Sequence, residues 1–415
     1  MQGFGRYLAA ALAARFASEG MSLAVVLLAL ERTGSAAYGA FVLTAWLAPH
    51  VLAAPLAGAA AARTRRPRLF HVAALAGFTC AVAALSLLLG RAPAPLVLAV
   101  ALLGGSCGPM VTGGMSSLVA GLVPAGAGRD RAYAWDASTY NAAAVTAPAV
   151  VGLAVALGSA APAMAVLAAA GALAALLAAT LPYGTRGPDP VGHAGSPPGA
   201  PAGLGAGLAA LWRVRELRAI TSATTLAFVG IGTLTTTSVL LASRLGSPGG
   251  GGWLMTAFAV GALAGSLTLG RITSVEPGRL ARRAMAGTGL ALAAAAFAPS
   301  VASAAVFFAA AGVCDGPLLT ATLRIRSEYA PDAVRTQVFT LGAGLKLTAA
   351  SVGAALVGLA ADAPPQALLA AISALILAAA ALHAVVARPG AAPAGAAATG
   401  PSAGSATAPA GRRTP

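Results

Sequence analysis

The sequence predicts an all-α polytopic membrane protein of twelve transmembrane helices, built as two six-helix pseudo-repeats. Three observations lead there. Apolar residues come in twelve long runs. Basic residues gather in every second connection between runs. The second half of the chain repeats the first at a nearly constant offset.

The chain has 415 residues, 58% hydrophobic and 9% charged, with a mean hydropathy of +0.82. Soluble domains carry about 25% charged residues, so there is too little polar surface here for a water-soluble fold. The runs lie at roughly 7–30, 37–62, 69–89, 95–123, 132–157, 162–182, 217–242, 252–271, 283–299, 301–323, 336–360 and 365–387. Each approaches the length that crosses a bilayer's hydrocarbon core, about 20 residues. The first run is too long for the apolar core of a signal peptide and contains Arg15 and Glu19, so it reads as a retained helix. Residues 183–216 begin rich in Pro and Gly and read as a cytoplasmic linker, with Trp212–Arg218 as a short interfacial helix. Residues 388–415, of Ala, Gly, Pro and Ser, read as a disordered tail. The expected organisation is therefore an N-terminal half over 1–182, the linker, a C-terminal half over 217–387, and the tail.

The net charge of +15 comes from 26 basic against 11 acidic residues. In a soluble protein such an excess would suggest nucleic acid. Position decides otherwise. Of the 26, 21 fall on one side of the predicted membrane, among them Arg63, Arg65, Arg66, Arg68, Arg279, Arg282 and Arg283. Only Arg32, Arg91 and Arg244 fall on the other, and Arg15 and Lys346 lie inside runs. The positive-inside bias then puts both termini in the cytoplasm and the lipid bilayer, not nucleic acid, around the chain. Heavy use of Ala, Gly and Arg beside a single lysine points to a GC-rich bacterial genome, hence to a bacterial cytoplasmic membrane. The three cysteines, Cys80, Cys107 and Cys314, sit alone in apolar runs and suggest neither a disulfide framework nor a metal site.

A shift of 212 residues relates the halves. Arg6 matches Arg218, Phe16 matches Phe228, and Gly20 matches Gly232. Arg32-Thr-Gly34-Ser35 matches Arg244-Leu-Gly246-Ser247, Gly39 matches Gly251, and Trp46 aligns with Phe258. The fourth and tenth runs repeat at 208: Cys107-Gly108-Pro109 against Asp315-Gly316-Pro317. Two halves of even span number have the same orientation.

Such a parallel pair of six-helix halves resembles the major facilitator superfamily over residues 1–387. The connection after the second run carries part of that family's signature, G-x-L-x-D-R-x-G-R-R, with Gly58, Arg63 and Arg66 in place. Ala62 replaces the acid and Arg65 the second glycine. The arginine motif of drug exporters is absent from the fourth run, and their fifth-run motif is reduced to Ala147-Pro148 and Gly152. The resemblance implies a permease working by alternating access, similar to bacterial drug or metabolite exporters. It implies proton-coupled efflux of a small organic compound by a monomer, driven by the proton motive force without a cofactor. The alternatives are an uptake permease, and a sensor or scaffold on a transporter fold. No nucleophile–base pair or metal cluster points to an enzyme.

Charges inside a membrane span are costly and mark function. Four such residues lack a counterpart in the other half: Arg15, Glu19, Asp315 and Lys346. Arg15 and Glu19 stand i, i+4 on one helical face. They read either as a self-neutralising pair or as a proton carrier, Glu19, tuned by Arg15. Asp315 precedes Gly316-Pro317, and its depth matches that of Lys346 within about 6 Å. The two read either as a structural bridge or as one that substrate or protons open. His50, after Pro49, is a weaker candidate for proton or substrate handling, while His71 and His383 read as packing residues. Asn141, Thr233 and Thr236 are candidate cavity-lining groups. Asp136, near Tyr133 and Tyr140, is either a cavity-mouth residue or the partner of an arginine.

Overall fold

The computed structural model describes residues 3–123, 127–183, 204–247, 249–269, 275–331 and 334–387. The predicted tail and most of the linker lie outside the described residues. The chain is helical, with no strand among the described residues. In order the helices are α1 (Phe4–Thr33), α2 (Ala36–Leu47), α3 (His50–Arg63), α4 (Pro67–Leu88) and α5 (Ala94–Pro109). A π-helical turn, Met110–Gly114, leads into the short α6 (Met115–Ser117) and α7 (Val119–Leu122). Then come α8 (Ala127–Ala156), α9 (Ala161–Ala179), α10 (Leu204–Arg213), α11 (Arg215–Arg244) and α12 (Gly250–Leu269). The last four are α13 (Pro277–Ala295), α14 (Val301–Tyr329), α15 (Arg335–Leu359) and α16 (Pro365–Val386).

Eleven of the described helical segments are long and apolar enough to cross a membrane. The ninth expected span, α13, is not among them, because Arg279, Arg282 and Arg283 crowd its first turns. It also starts six residues before the apolar run at 283. Glu276 sets that start: its carboxylate accepts from the Gly278 and Arg279 amides at 2.7 and 2.9 Å, with Pro277 in the first turn. The expected interfacial helix is also displaced. It is α10, and the chain breaks at the extended Val214 before α11 begins. The Gly207 amide of α10 donates to Gln337 on α15 at 2.9 Å.

Proline divides two of the expected spans. Pro49 stands between α2 and α3, and Pro109 ends α5 at the π turn. A proline lacks the amide that closes the ladder, which frees a carbonyl one turn back. Glycine ends the first span of each half alike: Gly34 and Gly246 are left-handed, with φ of 68° and 71°. Beside that turn, Glu31 and Arg32 reach in opposite directions. Glu31 accepts from the Ala160 amide and Ser159 at the start of α9, at 2.5 and 2.7 Å. Arg32 donates to the Ser86 and Leu89 carbonyls ending α4, at 2.7 and 2.9 Å. Each charge complements the dipole of the helix end it meets.

Helices cross through small residues. On α5, the space beside Gly104 and Gly105 is filled by Trp46 of α2, its ring against the first and its carbonyl against the second. One turn on, Gly108 is covered by the His50 imidazole. The second half repeats the contact: Gly312 and Gly316 of α14 lie against the Phe258 and Ala262 carbonyls of α12. Without an aqueous driving force between helices, such close backbone approach is the main source of association. The buried apolar residues form two cores. One draws on residues 7–181 with Val239 and Ala354, the other on residues 211–379.

Among the described residues Arg15 is the largest fully buried side chain. It pairs with Asp136 of α8 at 2.8 Å, not with Glu19. It also donates to the Asp136 carbonyl at 2.7 Å, to Ser116 of α6 at 2.8 Å, and to Thr139. Tyr7 and Ser116 donate to the two carboxylate oxygens at 2.5 and 2.8 Å. The Tyr140 ring lies under the guanidinium at 3.6 Å. Ser116 reaches the cluster because it follows the π turn, which offsets the end of this span. His71 meets the same offset, placing Nε2 3.3 Å from the Gly114 carbonyl.

Across the two halves, α8 packs on α12, and α2 and α3 pack on α15. The placed contacts lie toward the end of the bundle away from the basic connections. Gly152 of α8 meets the backbone of Gly249 and Gly252, and Gly358 of α15 meets Phe41 and the Ala37 carbonyl. Ser351 donates to the Thr44 carbonyl at 3.2 Å. The fourth and tenth spans, α5–α7 and α14, make no substantial contact.

Two expectations follow. Gly105→Ala and Gly312→Ala each place a methyl group on a facing carbonyl, so each should destabilise the protein by about 1–3 kcal/mol. Gly5→Ala, with open space around it, should melt with the wild type in detergent; equal melting of all three would refute the packing argument. Arg15→Gln or Asp136→Asn strands a buried charge and should cost about 3–5 kcal/mol. Replacing both residues together with Met and Leu should recover part of that loss in the same melts, and single variants as stable as wild type would show the pair to be unimportant.

Candidate functional site

α1 runs through the middle of the fold, packing on α2, α8 and α9 and touching α11 across the halves. Glu19 lies about 22 Å along it from Phe4. Its side chain is exposed, although α2, α8 and α9 pack around the helix that carries it. No described residue gives it a hydrogen bond or an ion pair. Its expected partner on the same face, Arg15, turns sideways into the α8 network. Of the two, Glu19 alone remains open, and Arg15 is held by Asp136 and Ser116.

In the second half the intramembrane charges lie on α14 and α15. Lys346 stands with its ammonium 4.8 Å from the centre of the Phe228 ring on α11, a cation–π contact. It also feels Asp315 and Arg326 electrostatically. No contact ion pair joins Asp315 to Lys346. Both are half-buried, and neither has a hydrogen-bond partner among the described residues. The expected structural bridge is thus open in this arrangement.

Arg326 escapes the sequence reading, which places it among the basic residues of the cytoplasmic side. It is 2% exposed, and its Nε and Nη2 have no hydrogen-bond partner among the described residues. One signal was available. Arg326 follows Asp315 by eleven residues, three helical turns, so the two share a face of α14.

The other candidates separate. His50 packs on Gly108 and directs Nδ1 to the Leu47 carbonyl at 3.2 Å, which makes it a spacer between α3 and α5. Thr233 and Thr236 are buried and do not line an open surface here. Thr233 donates to the Gly230 carbonyl at 2.7 Å, the local satisfaction usual for helical hydroxyls. Asn141 is exposed on α8. Asp136 is the arginine partner, not a mouth residue. Gly58 and Arg63 fall within α3, and their surroundings lie outside the described residues. Arg66 is exposed at the start of α4, where it lines a cavity of about 510 Å³ with Arg65, Arg68 and Tyr183. Burial pushes the Tyr183 phenol up to about 12, against the opposing pull of Arg68. Arg68 stacks over that ring at 5.6 Å and donates to the Leu181 carbonyl at 3.2 Å, fastening the end of α9 to the start of α4. Among the described residues no three His, Cys, Asp or Glu side chains gather as a metal set.

No family model matches the sequence, and neither does any curated protein. Solved structures do match the fold. The POT family transporter PepTSo superposes with a TM-score of 0.71 at 12% identity, over 92% of this chain and 97% of that one. The nucleoside transporter NupG gives 0.75 at 12% identity, over 92% and 99%. The peptide transporter POT in complex with sulfate gives 0.73 at 16% identity, over 93% and 94%. The chain is a multi-pass membrane protein with the fold of the major facilitator transporters.

Proposed function

We propose that the protein is a secondary active transporter of a bacterial cytoplasmic membrane, exchanging protons for a small organic compound and exporting that compound by alternating access. One observation carries this reading. Glu19 is an unpaired, accessible carboxylate in the middle of the first span, while the other intramembrane acid of that half is locked to Arg15. A bare carboxylate at this depth is costly. It is held most readily when protonated or when a cation from the other half approaches. That dependence on what fills the interior is what a coupling residue needs.

The packing supports alternating access. The two halves meet toward the end away from the basic connections, largely through backbone contacts at glycine. No ion pair crosses that seam among the described residues, so opening it strands no charge. If the basic end is cytoplasmic, this arrangement opens toward the cytoplasm and receives its cargo there. The predominantly apolar spans suit an amphipathic compound better than a sugar. The similar structures, a peptide transporter and a nucleoside transporter among them, support transport as the general activity.

Everted vesicles carrying a pH gradient test the reading. Ethidium, dialanine, uridine and benzoate are added in turn while an acridine dye reports the gradient. At least one should be taken up and should release protons. Glu19→Gln should lower gradient-driven uptake about tenfold or more, the usual loss when a proton-handling group is removed. Uptake unchanged when an ionophore collapses the gradient would exclude proton coupling, and full uptake by Glu19→Gln would exclude Glu19 as the carrier.

A further inference from the structure

The guanidinium of Arg326 lies across Gly342 of α15, occupying the space a Cβ would take. Lys346 follows Gly342 by one helical turn, so both cations stand on the same stretch of α15. By helix rise, Asp315 is about 16 Å further along α14 than Arg326, and Lys346 lies between them in depth. The order from the basic end is Arg326, Lys346, Asp315.

Two features of this column are unusual. The unpaired nitrogens of Arg326, Nε and Nη2, form one edge of the guanidinium. That edge offers two parallel N–H bonds, the geometry that takes a carboxylate bidentately. Leaving such donors buried and unbonded is expensive, so native structures rarely do it. Lys346, in turn, has Asp315 within its electrostatic reach yet rests on an aromatic ring and closes no bridge. The column has two positive charges and one negative. A single negative charge would balance it.

We infer that Arg326 and Lys346 form the binding site for one carboxylate group of a small organic anion, with Asp315 as the internal counter-charge that Lys346 faces when the anion is absent. This rests on the transporter reading and adds the substrate's anionic group to it. Arg326 takes the carboxylate on its Nε–Nη2 edge. Lys346 supplies the second contact from one turn along α15. Gly342 permits the arrangement, because any side chain there would displace the guanidinium. A doubly charged phosphate monoester fits less well, since it would leave a net negative charge.

The test uses the full-length protein in phosphatidylcholine nanodiscs, with benzoate as probe and benzyl alcohol as its uncharged counterpart. Melting temperature and tryptophan fluorescence are followed as each is titrated. Benzoate should stabilise the wild type and benzyl alcohol should not. Arg326→Gln and Lys346→Gln should each weaken benzoate binding about tenfold or more, the worth of one charge-assisted contact. Gly5→Ala, in open space at the start of α1 and far from the column, should bind it as the wild type does. Gly342→Ala retains both charges and should still weaken binding, which keeps the test decisive if Arg326→Gln does not fold. Benzoate binding unaffected by Arg326→Gln or by Gly342→Ala would overturn the inference. So would a wild type that ignores benzoate, prefers inorganic phosphate, or is stabilised only by added phosphatidylglycerol. Proton-linked uptake of another compound without benzoate binding would reject this site and leave the transport reading standing. Benzoate binding without any proton-linked uptake would do the reverse.

Discussion

The fold depends on how closely two helices can approach in a medium that gives them no reason to associate. Lipid tails are as apolar as Leu, so burial against a neighbour gains little. What remains is packing, and packing tightens as side chains shrink. The chain answers with 51 glycines and an abundance of alanine. At Gly105, Gly232, Gly261, Gly265, Gly312, Gly316 and Gly353 the facing group is a backbone carbonyl of another helix. Each contact is short because there is no Cβ to hold the helices apart. The same property lets the seam at Gly152, Gly249 and Gly252 close without specific bonds, so the architecture that holds each half together also leaves the contact between them free of charge.

Polar groups obey the opposite rule. A buried ion pair must be complete, since either partner alone costs more than the pair returns. The Arg15 cluster meets this requirement almost fully: carboxylate, hydroxyls, a carbonyl and an aromatic face surround the guanidinium, and only Nε lacks a partner. It ties α1 to α8 and to the segment after the π turn, three separate parts of the first half. Glu19, one turn further along α1, escapes this closure. The Arg stem is long enough to swing into α8, and Glu19 stays on the accessible side.

The layout of the fold is legible in the sequence because its signals are local and periodic. Run length, the alternation of basic connections, and glycine at constant offset each need only a window of residues. The Gly104–Trp46 and Gly312–Phe258 contacts give the offset a physical meaning: the repeat preserves the positions where helices touch. What the sequence hides is pairing over distance. Arg15 and Asp136 stand 121 residues apart, and no periodicity links α1 to α8, so the nearer Glu19 looks like the natural partner. Helix starts set by a cap also stay hidden from hydropathy, as α13 shows. Arg326 is hidden for a third reason. Its burial depends on Gly342, which looks like any other glycine until α14 and α15 are laid together.

The halves therefore differ in how they use charge, although they share a backbone plan. In the first, arginine and aspartate are consumed by structure and one acid stays open. In the second, Asp315, Lys346 and Arg326 form no contact ion pair with one another. A symmetric pair of halves could rock about a shared axis, but symmetry alone would not couple that motion to anything. Coupling needs the two sides of the interior to prefer different states of occupation. On the proposed reading, an acid that is easiest to hold when neutral, set against a column that is easiest to hold with an added anion, provides such a difference. The geometric repeat, on the proposed transport reading, supplies the movement, and the loss of chemical repeat at these few positions couples that movement to what the interior holds.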